Sequence, residues 1–469
     1  MSKSERFING CDQLMAFSFY ALIYFLPVSI ALSETFTGLS FFAYLLKRGA
    51  VFYSIGKYKK QMLLENSFPM QQRRYDERSE EFSCGLLKGG GAGEDKTNIS
   101  VWRKLWMAYK PVPNPLNISI YIFLLVNLIS VAQSQYLLLS IEGFIGKVLQ
   151  SVFLYFNFVE CMHSNKRIKA FLGVLLVSCT LIVMNGIYQY YAEYDFFFGH
   201  VYSDRLYSSF RHANDFGAYL VMLIPILFCI TFLFKTAPKE KGQAQGGLAY
   251  FSAANTKILT FILFASAMVC LGLTLSRGAW IGLIVSILFF GITNRKALLL
   301  YGLAIVVFLA FFYPRLTTFR APINDKKSFQ IENNRLRYWQ RALDIIKDYP
   351  YFGSGVNTYA LVEGRYSTGW GGYPHNSFLQ MASDTGLIGV ASFLWVLWIL
   401  FWNSLKSLRR TVNHAYKMLL IGASTGLLGF LIHSFFDTNF YSVQLGSLMW
   451  VMMGFIMSVR EIGQDPKIP

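Results

Sequence analysis

PRLTTFRAPINDKKSFQIENNRLRYWQRALDIIKDYPYFGSGVNTYALVEGRYSTGWGGYPHNSFLQMASDTGLIG, residues 314–389, interrupts a run of apolar segments with a long polar loop and ends by entering another apolar segment. From Asn334 to Lys347, Leu336, Trp339, Leu343 and Ile346 recur at helical spacing, with Arg335, Arg337 and Arg341 between them. This predicts an amphipathic helix with a cationic side. Pro350, Gly353 and Gly355 then break the helix, and a Gly-Trp-Gly-Gly-Tyr-Pro segment delivers His375 and Asn376 to the mouth of the following apolar run. One loop thus carries a proton acceptor suited to neutral pH together with several fixed cations.

Outside this loop the chain is membrane-like. Of its 469 residues 54% are hydrophobic and only 15% charged, and the apolar residues come in runs too long for a soluble core. That composition predicts a polytopic membrane protein. The net charge of +17 would suggest nucleic acid in a soluble chain, but here most basic residues sit in short loops between apolar runs. They read as topology signals and contacts to membrane lipids, with no nucleic-acid partner. The six cysteines (Cys11, Cys84, Cys161, Cys179, Cys229 and Cys270) are scattered without a C-x-x-C pair, so neither a disulfide framework nor a zinc site is expected. The first apolar run lacks a small-residue cleavage site after it and reads as a retained span.

A span needs about 20 apolar residues. Segments meeting that requirement are 12–32, 35–53, 115–134, 138–160, 168–189, 213–234, 257–275, 278–293, 297–313, 377–402, 417–435 and 441–459, about twelve transmembrane helices. Lys47 and Arg48 make 35–53 the weakest of these. Lys and Arg concentrate in alternate loops, so both termini are expected in the cytoplasm and the 314–376 loop outside. The resulting organisation is N-terminal spans over 1–55, a polar cytoplasmic insertion over 56–112, spans over 113–313, the outer loop over 314–376, C-terminal spans over 377–459 and a tail over 460–469. The Gly-rich run at 89–93 lacks the Lys-Ser/Thr of a phosphate-binding loop.

Outer loops should be poor in cations, yet Arg205 and Arg211 lie in YSDRLYSSFRHANDFGAYL and Arg277 in LTLSRGAW. Charge there works against orientation and asks for a reason. Arg211 serves equally well as a contact to lipid phosphate, whereas Arg277 sits in a short turn between two spans and points to function. His200, His212, His375 and His433 all fall on the outer side. His375 stands out by its position between the Gly/Pro-rich segment and a span. His433, in a turn with Asp437, reads first as structural and second as a supporting partner, and His212 reads as ordinary.

The sequence has no Asp-x-Asp pair, no H-E-x-x-H and no G-x-S-x-G. No metal site and no cofactor are expected. Arginines remain, and guanidinium forks bind phosphate oxygens bidentately at any working pH. If a diphosphate-linked sugar is attacked by a hydroxyl, charge grows on the departing diphosphate, and preplaced arginines stabilise that transition state. A neutral histidine takes the hydroxyl proton.

Four fragments, in order, resemble the O-antigen ligase and O-antigen polymerase superfamily of bacterial envelope enzymes. DRLYSSFRHANDFGAYL is similar to the family's Arg-Phe-Asn pattern and places Arg205 and Asn214; LTLSRGAWIGL is similar to its Ser-Arg turn and places Arg277. NNRLRYWQRALDIIKDYPYFGSGVNTY is similar to its outer-loop helix and places Arg335, and PHNSFLQMASDTGLIG is similar to its His-Asn motif and places His375. The likeness runs over about 168–396, departs from the common pattern at Asp384, where many members carry Glu, and leaves 56–112 unmatched. It implies an all-α fold like that of the lipid-dependent (GT-C-like) glycosyltransferases, lying in the bacterial inner membrane with one large periplasmic loop. It also implies an undecaprenyl-diphosphate-linked glycan as donor and lipid A-core or another glycan as acceptor, with metal-independent, inverting transfer at the periplasmic face. Arg205, Arg277 and Arg335 would hold the diphosphate, and His375 would act as base or acceptor-positioning group, with Arg277 beside it in the catalytic set. Arg211, Asn214, Arg337, Asn376 and His433 are possible supporting residues. A polymerase of the same superfamily uses the same chemistry, and a transporter of lipid-linked sugars is the alternative from another class.

Overall fold

The computed structural model describes residues 3–57, 108–201, 204–234, 254–293, 295–319, 325–366 and 372–464. Most of the predicted 56–112 insertion, the Gly-rich run at 89–93 and part of the Gly-Trp-Gly-Gly-Tyr-Pro segment lie outside those residues. The chain forms two compact units, one of Met1–Phe19 with Thr35–Asn114 and one of Tyr20–Glu34 with Pro115–Pro469.

Among the described residues the regular secondary structure is helical, apart from one isolated bridge between Tyr194 and Val201. In chain order the helices are α1 (Lys3–Phe25), α2 (Ile30–Lys57), α3 (Asn117–Ala132), α4 (Leu137–Cys161), α5 (Asn165–Ala192), α6 (Ala213–Leu233) and α7 (Ala254–Leu273). They continue with α8 (Arg277–Thr293), α9 (Arg295–Phe319), α10 (Asp325–Asp348), α11 (Tyr359–Glu363), α12 (Ser377–Leu408), α13 (His414–His433) and α14 (Val443–Gly463). Among the described residues eight helices are long and apolar enough to cross a membrane: α4, α5, α6, α7, α9, α12, α13 and α14. The helices α3 and α8 are apolar but shorter.

Each predicted span overlaps a helix, but eight rather than twelve of the described helices are long and apolar enough to cross a membrane, and the N-terminal region needs one correction. The first predicted span, 12–32, is broken between Phe25 and Ile30, because Pro27 has no N–H to continue a helix. The cations that interrupt 35–53 are accommodated inside the first unit: Lys47 Nζ pairs with Asp12 at 2.9 Å, and Arg48 Nη1 donates to the Ala108 carbonyl at 3.0 Å. Paired in this way they do not end the helix.

In the second unit α6 is the central helix, with 94% of its most apolar window buried. It packs on α13, where Gly426 lies against the Met222 carbonyl, and α13 packs on α8, where Gly282 lies against the Gly429 carbonyl. Small residues let these backbones touch, which is how helices associate where lipid removes the hydrophobic drive.

The amphipathic helix is present as α10 and starts earlier than the predicted Asn334. Its buried face is a correction. Leu336 and Leu343 are exposed, whereas Ala342 and Ile345 are fully buried and cluster with Tyr359 and Val362. The small side chain of Ala342 lets α10 approach α12 closely enough for Ser383 Oγ to donate to the Ala342 carbonyl at 3.3 Å. Arg341 forms an ion pair with the buried Glu363.

Past α10, the segment 350–355 locks onto a break in α12. Gly386 interrupts that helix at φ 72°, ψ 179°. Ser354 and Gly355 donate N–H to the carbonyls of Ser383 and Asp384, each at 2.9 Å, and Leu387 N–H donates to Pro350 at 2.8 Å. The carboxylate of Asp384 accepts the Tyr359 N–H at 2.8 Å. Backbone groups freed by the break are thus satisfied by the loop, as they must be in a low-dielectric setting. The lock fixes the first turns of α12, and His375 immediately precedes them.

Candidate active site

Five segments converge beside the N-terminal end of α12. His375 sits at φ 47°, an uncommon left-handed conformation for a non-glycine residue. Three neighbours hold it there. Trp339 Nε1 of α10 donates to the Pro374 carbonyl at 2.8 Å, Ser377 N–H donates to Ser434 at 2.8 Å, and Asn376 caps α12 by accepting the N–H groups of Phe378 and Leu379, each at 3.0 Å. Asn376 therefore serves as a helix cap, and its side chain is used by the backbone rather than by a ligand.

A continuous line of hydrogen bonds runs through the site. Arg205 donates Nε to the Thr274 carbonyl at 2.8 Å and Nη2 to Asn214 Oδ1 at 2.6 Å. Asn214 donates Nδ2 to Asp437 Oδ2 at 2.6 Å, and Asp437 Oδ1 faces His375 Nδ1 at 3.2 Å. A carboxylate only accepts, so Nδ1 is the donor in this last bond, and in the neutral ring the lone pair is then on Nε2. His433, fully buried at the end of α13, faces the Asn214 carbonyl with Nε2 at 3.1 Å and thereby holds the backbone of the residue that bridges Arg205 and Asp437.

Burial alone would raise the Asp437 carboxyl, but the hydrogen bond from His375, the nearby His433 and the Thr438 N–H outweigh it and hold the group well below the usual carboxylate range. A carboxyl depressed in the fold contributes stability above its unfolded value of about 3.9, and that contribution is lost as the pH falls through the folded value. Unfolding midpoints of wild type and Asp437→Asn, measured between pH 7 and pH 3, should therefore converge only below about pH 4. A gap that closes between pH 5 and pH 7 would contradict the depressed carboxyl.

The arginines differ in position. Arg205 is partly buried, and burial together with Arg335 lowers its affinity for the proton while Asp437 opposes them. Guanidinium nonetheless keeps its charge. Arg335 lies on α10 one turn before Trp339, within electrostatic reach of Arg205. Arg277 is exposed at the first position of α8. It is flanked by two site contacts: Thr274 takes the Arg205 bond, and a Cβ on Gly278 would come within 2.8 Å of His433 Nδ1. The structure thus brings together Arg205, Asn214, His375 and His433, with Arg277 and Arg335 on their margin. Arg211 and Arg337 are exposed and have no hydrogen bond into this line. Burial and the neighbouring Arg211 charge push His212 down, with Asp437 opposing them.

Asp437 is the residue that the candidate set omits. Its turn, HSFFDTNF, was visible beside His433, but the contact to His375 spans 62 residues of sequence and carries no local signal.

No curated protein matches the chain. Residues 259–394, which contain Arg277, Arg335, His375 and the locked part of α12, match the family model Wzy_C, described as O-antigen ligase. That match covers less than a third of the chain, and together with the four fragments in order it supports a likeness of this part of the chain to the O-antigen ligase superfamily.

Proposed function

We propose that the protein is an O-antigen ligase-type glycosyltransferase that moves a glycan from undecaprenyl diphosphate to an acceptor hydroxyl, such as one on lipid A-core, at the periplasmic face of the bacterial inner membrane. The observation that carries this reading is the hydrogen-bonded line from Arg205 through Asn214 and Asp437 to His375. It ties an anion-binding group and a correctly protonated base into one rigid unit.

In this reaction the acceptor oxygen attacks the anomeric carbon from the face opposite the leaving group. The carbon–oxygen bond to the diphosphate breaks, and its electron pair leaves with the undecaprenyl diphosphate. The hydroxyl proton passes to His375 Nε2, and Asp437 stabilises the imidazolium that results. Arg277 and Arg335 stand at the margin as further cations for the diphosphate, and Arg205 adds a charge already oriented by Asn214 and Thr274. Attack by one displacement inverts the sugar carbon. The arginines supply the charge a metal ion would otherwise provide.

The test is transfer by purified protein from a synthetic undecaprenyl-diphosphate glycan to lipid A-core with EDTA present. Turnover is expected to survive EDTA and to fall about 10²-fold or more in Arg277→Ala, the range seen when one donor to developing charge is removed. Arg277→Lys should recover only part of it, since an ammonium cannot form the bidentate fork. Donor consumed into longer carrier-linked chains would make the protein a polymerase, and no consumption with any acceptor would favour a transporter.

A further inference from the structure

Between α5 and Arg205 the chain forms a small hairpin whose tip is aromatic and whose base is polar. Asp195, 1% exposed, organises it. Its Oδ1 accepts the N–H groups of Phe197 and Phe198, each at 2.9 Å, and its Oδ2 accepts the His200 N–H at 2.6 Å. The backbone closes with Asp195 N–H to His200 at 2.9 Å and the Tyr194–Val201 bridge. Asn185 of α5 accepts the Phe196 N–H at 2.8 Å. The turn is therefore preorganised, yet it presents apolar groups outward: Phe196 is 73% exposed, Phe198 52% and Val201 67%.

Rigid, exposed phenylalanines need a partner, and the surface beside them identifies it. On α5 the exposed apolar residues Val177, Met184, Tyr188 and Tyr191 recur at spacings of seven, four and three, one stripe down a membrane-spanning helix. A stripe of that kind on a span faces lipid. The Tyr188 ring lies 6.1 Å from Phe196, so the hairpin tip continues the stripe without a polar gap. We propose that the 194–201 hairpin is a membrane-docking element that inserts Phe196 and Phe198 into the leaflet on the site's side and sets Arg205 at the depth of lipid phosphates.

The link to Arg205 is direct. Gln189, at the hairpin's base, donates Nε2 to the His200 carbonyl at 3.3 Å and accepts the N–H groups of Tyr207 and Ser208 at 3.2 and 2.8 Å. Leu206 N–H donates to Leu273 at 3.0 Å. The hairpin and the arginine segment are thus held by one side chain, and the depth of one sets the depth of the other. The diphosphate of a lipid-linked molecule lies at the membrane surface, where this arrangement would present Arg205. Aromatic side chains at that level are favourable because the interface accepts their apolar body.

The experiment uses the full chain in vesicles of phosphatidylethanolamine and phosphatidylglycerol. Phe196→Cys and Phe198→Cys are made separately in a variant with the native cysteines replaced, and each is labelled with an environment-sensitive fluorophore. Both positions are exposed, so neither change removes core packing. Expected is loss of most emission to a nitroxide on a shallow acyl carbon, with little loss to aqueous iodide. Strong iodide quenching with none from the lipid nitroxide would overturn docking and turn the tip into a water-facing platform for glycan or protein. This arm needs no turnover, so it stands or falls apart from the glycosyl-transfer reading. The depth-setting role rests on that reading, and its test is the Phe196→Ser, Phe198→Ser double variant assayed in vesicles. There a several-fold rise in KM for the lipid-linked donor at unchanged kcat is expected, and an unchanged KM overturns it.

Discussion

His375→Ala is expected to lower kcat for glycan transfer by about 10²–10⁴-fold, the range contributed by a positioned general base. Donor affinity should change little, because the arginines that face the diphosphate lie on other segments. The companion variant separates base from bystander. In Asp437→Asn the carboxylate becomes an amide that can donate to His375 Nδ1, which moves the ring proton to Nε2 and removes the lone pair that takes the acceptor proton. A loss approaching that of His375→Ala is therefore expected, although Asp437 touches no reacting atom. A merely structural Asp437 would instead lower stability with turnover per folded molecule retained. Single-turnover assays on protein normalised by folded fraction distinguish the two, and near-wild-type kcat in Asp437→Asn would remove the tautomer argument.

Much of this was legible from residue types alone. Apolar runs reveal spans because unsatisfied backbone is excluded from lipid, so each run had to be a helix. Arginines in loops expected to lie outside stood out because topology gives them no purpose there, and the structure places Arg205 in the hydrogen-bonded line that ends at His375. His375 was marked by the Gly/Pro-rich segment that precedes a span.

What escaped the sequence was pairing across distance. Asp437 and Asn214 meet although 223 residues separate them, and neither has a local pattern that says so. Apolar spacing on α10 pointed to the stripe of Leu336, Trp339, Leu343 and Ile346, and packing against Tyr359 and Val362 selects Ala342 and Ile345 over Leu336 and Leu343. Asn376 looked like part of a His-Asn motif, yet an Asn just before an apolar run is also a cap signal, and the cap is what it forms. Asp384 fits the same lesson. The carboxylate that departs from the common Glu accepts the Tyr359 N–H, so its part in the site is to keep the loop in place.

That loop carries the second large effect. Gly386 lies at φ 72° with an extended ψ, a combination open essentially to glycine alone, and an added Cβ would overlap the Tyr351 carbonyl. Gly353 at φ 72° is its counterpart, with a Cβ meeting the Asp384 carbonyl. Each glycine is the space the other segment occupies. Gly386→Ala must therefore push the 350–355 segment away, at a cost of about 1–3 kcal/mol for the backbone conformation. It also loses hydrogen bonds that contribute about 1 kcal/mol each. A fall of several kcal/mol in unfolding free energy is expected, and Gly353→Ala should match it. Because the two changes break one contact, the double variant should cost little more than either single one. Gly173→Ala, in a helix with open space around the added carbon, should be neutral or slightly stabilising. Equal midpoints for Gly386→Ala and Gly173→Ala would mean that the lock is not formed. With it formed, the Gly386→Ala protein that does fold should also lose transfer, since the first turns of α12 carry His375 into reach of Asp437.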